Sequence, residues 1–73
     1  MSDASQVSCV TQIGETAVLI WSALSDGGPL STAKLVKIID RPRDTVMQAI
    51  GWLAREDKIQ IEEEGRSRIL SLR

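Results

Sequence analysis

The chain of 73 residues is long enough for one small domain, and its 42% hydrophobic content with mixed charge excludes a mainly disordered chain. Its formal net charge of −1, with a pI of about 5.2, handicaps any role that rests on indiscriminate attraction to a polyanion. Histidine is absent, which removes the usual general base, zinc ligand and pH switch together, and the single Cys9 cannot close an internal disulfide.

Residues 1–12 are small and polar, with Val7, Cys9 and Val10 the sizeable apolar groups, and are expected to form an N-terminal arm ahead of a domain spanning residues 13–73. The first helix is predicted from about Gly14 to Ser25, because Ile13, Ala17, Ile20, Trp21 and Leu24 recur as one stripe that reads as its core face. Val18 and Leu19 fall outside that stripe on opposite flanks, so this helix carries more apolar surface than one small core needs. Asp26, Gly27, Gly28 and Pro29 stop it. Its apolar run from Ala17 to Leu24, interrupted by Ser22, is too short to span a bilayer, and nothing ahead of it resembles a secretory signal. The expectation is a cytoplasmic protein that does not enter membranes.

Pro29 to Ser31 is read as a very short strand. Ser31 or Thr32 then caps a second helix over about Thr32–Ile39, with Leu35, Ile38 and Ile39 inward and Lys34 and Lys37 in water. Asp40, Arg41 and Pro42 form a turn. The third helix, about Arg43–Glu56, places Asp44 in its first turn, where a negative charge suits the helix dipole. Val46, Ala49, Ile50 and Leu53 keep helical spacing, after which Ile59 and Ile61 alternate with Lys58, Gln60 and Glu62, so the period changes from 3.6 to 2. Gly65 marks a turn in the run Glu62–Arg66, and Ile69, Leu70 and Leu72 belong to the returning strand.

Three helices followed by a hairpin is the order of a winged helix-turn-helix, an α+β fold with a two- or three-stranded antiparallel wing sheet. In it the third helix reads DNA and the hairpin is the wing. The strings IGETA at 13–17 and AIGWLAREDKI at 49–59, together with Trp21, are similar to a small prokaryotic winged helix-turn-helix family catalogued as a domain of unknown function, over roughly residues 10–72. The resemblance implies the fold and homodimer formation, and it implies DNA binding by analogy of fold. The chain departs from the family pattern at Asp40, Arg41, Pro42 and Arg43, which stand where glycine and acidic residues are expected and make the start of the third helix more basic.

Charge is unevenly distributed. Residues 1–40 balance to −2, residues 41–58 to +1 and residues 59–73 to zero, and every arginine lies beyond residue 40. On a helical wheel the third helix leaves Asp44, Thr45, Gln48, Gly51, Trp52 and Arg55 on its outer arc. A DNA reading assigns Thr45 and Gln48 to base edges, Arg41, Arg43 and Arg55 to phosphates, and Arg66 and Arg68 to the wing's contacts. The alternative is a solvated polar face. Trp52 does not suit a major groove, so it either meets a partner or folds back on Ile61 or Leu70. Glu62, Glu63 and Glu64 would repel phosphates, unless they form a solvated turn that protects a strand edge.

Cys9 is expected to be a small buried apolar residue, since no second metal ligand or base accompanies it. No cofactor, metal site or catalytic residue is expected: the acid pairs Glu56–Asp57 and Glu62–Glu64 lack a nucleophile or phosphate loop, so the chain does not read as an enzyme. Two functions remain. One is a dimeric DNA-binding, transcription-regulator-like protein acting on double-stranded DNA; the other is a protein-interaction or dimerisation module that uses Val18, Leu19 and Trp52 without DNA.

Overall fold

A serine followed by nineteen residues of helix starts the first helix earlier than its apolar stripe does. In the computed structural model, which describes residues 8–73, α1 runs over Cys9–Gly27. Ser8 is its N-cap, and the Ser8 hydroxyl accepts a hydrogen bond from the Thr11 amide at 3.1 Å. Residues 9–12, expected in an arm, are therefore helical; residues 1–7 of that arm lie outside the described residues. Cys9 is exposed in the first turn instead of buried, because that turn precedes the part of α1 that meets the core. At the other end the Gly28 amide donates to the Leu24 carbonyl at 2.9 Å, with Gly28 at φ 75° and ψ −157°, a conformation reserved for glycine.

The chain then forms β1 (Leu30–Ser31), α2 (Thr32–Ile38), α3 (Arg43–Arg55), β2 (Ile59–Glu64) and β3 (Ser67–Leu72). Ser31 caps α2 by accepting from the Lys34 amide at 3.0 Å. Leu35 and Ile39 of this segment are buried as expected, but Ile38 is 46% exposed: the inward face runs from Leu35 through Val36 to Ile39, which leaves Ile38 on the margin. α3 ends on a Schellman arrangement. The Lys58 amide donates to Leu53 O at 2.9 Å and the Asp57 amide to Ala54 O at 3.0 Å, with Asp57 in the left-handed region that a short polar side chain tolerates.

The sheet has the order β1-β3-β2, antiparallel throughout. Leu70 sits at its centre, opposite Leu30 on one side and Ile61 on the other, and is fully buried. The hairpin closes through Gly65 and Arg66, with Gly65 at φ 59°, the type II′ pattern in which glycine takes the first turn position. The core joins Ala17, Ile20 and Leu24 of α1, Leu35 and Ile39, Val46, Ala49, Ile50 and Leu53 of α3, and Ile59 and Leu70 of the sheet. Trp21 lies outside it, 47% exposed, since it stands one step round the helix from Ile20 at the edge of the buried stripe.

Thr16 is completely buried on α1, and among the described residues its hydroxyl has no hydrogen-bond partner. An orphaned buried hydroxyl costs stability that an isosteric methyl does not. Thr16→Val is therefore expected to raise the unfolding free energy by about 1 kcal/mol, read as a higher urea midpoint at unchanged slope.

Candidate nucleic-acid interface

A strand's pleat sends alternate residues to opposite faces, and this sorts the charges of the wing. Directly paired residues share a face, so Ile59, Ile61 and Glu63 go with Leu72, Leu70 and Arg68, and burial of Ile59 and Leu70 makes this the inner face. Gln60, Glu62 and Glu64 go with Ser71, Ile69 and Ser67 on the outer face. Of the three consecutive acids, only Glu63 faces inward. The Arg68 Nε donates to Glu63 Oε2 at 3.3 Å.

Where the inner face of the wing passes the start of α2 and α3, it leaves a cleft of about 400 Å³. One wall is Ser31, Thr32 and Ala33 at the head of α2 with Arg43 and Met47 from the first turns of α3; the other is Glu63 and residues 65–68 of the wing. The Thr32 hydroxyl donates to the Arg68 carbonyl at 3.5 Å, which links α2 to β3 beside the cleft. Three arginines from separate elements, Arg43, Arg66 and Arg68, thus border one depression against a single glutamate. A chain that is net negative presents a locally positive cleft.

The other residues singled out from the sequence fall in three places. Gln48 and Arg55 are exposed on the outward face of α3 with Asp44 and Gly51, one helical turn apart in sequence. Arg41 is exposed in the turn before α3, and its Nη1 donates to the Asp40 carbonyl at 2.8 Å. Neither Arg41 nor Arg55 borders the cleft. Thr45 is 9% exposed, which withdraws it from any base edge: it stands one turn before Ala49, so it follows the buried side of the helix.

Away from the cleft, with no lining residue in common, α1 and α3 leave an apolar groove of about 330 Å³. Trp52 borders it together with Val18, Trp21, Ala17, Leu53 and Gly14, with Lys58 the one charged neighbour among the described residues. Trp52 of α3 and Trp21 of α1 therefore line the same groove. Both tryptophans are 47% exposed and Val18 is 64% exposed. Leu19, 36% exposed, lies on the other flank of α1 and does not border the groove, so Val18 and Trp52 share a surface that Leu19 does not. Trp21 is the member that sequence reading missed, because its place in the apolar stripe made it look like core. Among the described residues no group of acids and cysteine is placed to hold a metal ion, and no helix is long and apolar enough to cross a membrane.

Comparison with known proteins agrees with this architecture. Residues 6–72 match the family described as "Winged helix-turn-helix domain (DUF2582)". The chain is 38% identical over 65 residues to "Uncharacterized protein MJ1608" of Methanocaldococcus jannaschii, covering 85% of this chain and 91% of that protein. Among solved structures, an ArsR family transcriptional regulator, RHA00566, superposes with a TM-score of 0.66 at 21% identity, covering 89% of this chain and 71% of that one. AF1382 from Archaeoglobus fulgidus superposes with a TM-score of 0.65 at 19% identity, covering 85% and 68%. At these identities the two structural likenesses speak to fold.

Proposed function

The chain belongs to the winged helix-turn-helix family DUF2582, and on that premise we propose that it is a cytoplasmic, transcription-regulator-like protein that binds double-stranded DNA. The observation that carries this reading is the convergence of Arg43 with Arg66 and Arg68 on one cleft, with Glu62 and Glu64 turned to the other face of the wing. Guanidinium groups spaced along a cleft of this kind suit phosphate oxygens, which they meet through charge-assisted hydrogen bonds. Gln48 and Arg55, on the exposed face of α3, then supply the base-edge and flanking phosphate contacts. The fold shared with a transcriptional regulator supports the same direction.

Fluorescence anisotropy with a mixed-sequence duplex tests the reading. Engagement of about four phosphates, by the three cleft arginines and Arg55, predicts that log K falls against log salt with a slope of about −3.6. Absence of binding at low salt, or binding indifferent to salt, would count against it.

The groove on α1 and α3 favours a second activity on the same scaffold, self-association or capture of a protein partner through Trp52, Trp21 and Val18. Half-exposed indoles on adjacent helices form a contiguous apolar surface of the type that interfaces cover. In a homodimer held this way, Trp52→Ala is expected to weaken association by about thirtyfold, equivalent to roughly 2 kcal/mol, measured by sedimentation equilibrium. An unchanged sedimentation behaviour would remove the dimer from this face. If the chain sediments as a dimer but ignores DNA, the interaction module without DNA binding is the correct function.

A further inference from the structure

The wing carries one acid where a DNA-binding surface wants none. Glu63 lies directly opposite Arg68 in the hairpin register, on the inner face, and both border the cleft. Their side chains are 72% and 58% exposed, so the ion pair is well solvated and adds little to the stability of the wing. Its consequence is for what enters the cleft. Among the described residues Arg43 and Arg66 have no ion-pair partner, whereas Arg68 already has an anion.

We propose that Glu63 is a specificity-determining residue of the arginine cleft, one that penalises docking on bare phosphate and thereby restrains indiscriminate binding to DNA. The inference rests on the DNA-binding reading. When a phosphate oxygen takes Arg68, one anion replaces another, and Glu63 is left unpaired beside a polyanion. Repulsion then opposes the contact. The penalty is relieved where a base presents an exocyclic amine that donates to the freed carboxylate, as cytosine and adenine do on their major-groove edges. A group that repels the wrong site while accepting the right one raises discrimination without raising affinity.

The pleat provides a control for the test. Glu62 is the adjacent residue, carries the same charge and faces the other way, so Glu62→Gln and Glu63→Gln change net charge equally and the cleft unequally. Each full-length variant is titrated by anisotropy against duplexes of differing base composition, after thermal unfolding has verified the fold. Glu63→Gln is expected to tighten binding to a mixed-sequence duplex by about tenfold at low salt and to steepen the salt slope by about one. It should also narrow the spread of affinities across the duplexes. Glu62→Gln should tighten binding several-fold less than Glu63→Gln at low salt, and by less than about twofold at physiological salt, where the Debye length is about 8 Å.

Equal effects of the two substitutions would reduce Glu63 to a contributor of net charge and overturn the inference, as would an unaltered spread of affinities. Binding that responds to Arg43 and Arg66 substitution but not to Glu63→Gln would sink this inference alone. No binding by any variant at low salt would sink the DNA reading with it.

Discussion

Replacing both Arg43 and Arg66 by glutamate is expected to weaken binding to a mixed-sequence duplex by about a hundredfold at low salt, with the salt slope reduced by about two. The two residues come from different elements, the head of α3 and the hairpin turn, and meet only because the wing folds across the cleft. Each is exposed and free of described ion pairs, so reversal removes a phosphate contact without removing a fold contact. The loss should be uniform across sequences, since phosphate contacts carry no base information. Reversal of Arg41, which borders no part of the cleft and already donates to the Asp40 carbonyl, should cost less than about threefold. Anisotropy titrations of the double variant, the Arg41 variant and the parent chain measure both effects. A loss of binding free energy in the double variant no more than about twice that of the Arg41 variant, in step with its doubled change of charge, would mean that the cleft is not the binding surface and that only net charge matters.

The second large effect concerns what holds the wing in place. Leu70 is fully buried and sits between Leu30 and Ile61 in the middle strand, so it joins β1, the hairpin and the helical core. Leu70→Ala is expected to cost about 3 kcal/mol through lost transfer energy and the cavity left behind. At roughly 0.05–0.15 kcal/mol per residue, a domain of this size has only about 4–11 kcal/mol of stability in total. The variant should therefore unfold at a much lower urea concentration. Ile61→Ala, on the same face but 41% exposed, should cost less than about 1 kcal/mol. Comparable losses at the two positions would contradict the placement of the core beneath the central strand.

The helical parts of the fold could be read from the sequence wherever one periodicity dominated. Val46, Ala49, Ile50 and Leu53 are all buried, as their spacing requires, and the change of period after Lys58 marks the start of β2. Positions at the edge of a stripe were less legible. Trp21, Ile38 and Thr45 each stand at the margin of a buried face, where tertiary packing and not spacing decides which side wins. The start of α1 was hidden because residues 9–12 lack an apolar pattern; the signal present was Ser8, whose hydroxyl caps the helix.

The acidic tip of the wing shows a different limit. As a string, Glu62–Glu64 argues against contact with DNA, yet counting in twos from Ile59 assigns Glu62 and Glu64 to the outer face. That count depends only on the hairpin register, which Gly65 fixes. The meeting of Arg43 with Arg66 and Arg68 was not available from such counting. It depends on the short α2 and on how closely the sheet packs against α3, and both are long-range consequences of the core.

If DNA phosphates enter the cleft between the head of α3 and the inner face of the wing, those two segments respond together to DNA. The first measurement is a heteronuclear NMR titration of the labelled 73-residue chain with a mixed-sequence duplex, at low and then at physiological salt. Amide shifts are expected at Arg43, Gln48 and Arg55 and at residues 65–68, shrinking as salt is raised. No shifts at low salt, or shifts confined to Val18, Trp21 and Trp52, would contradict entry of DNA into the cleft.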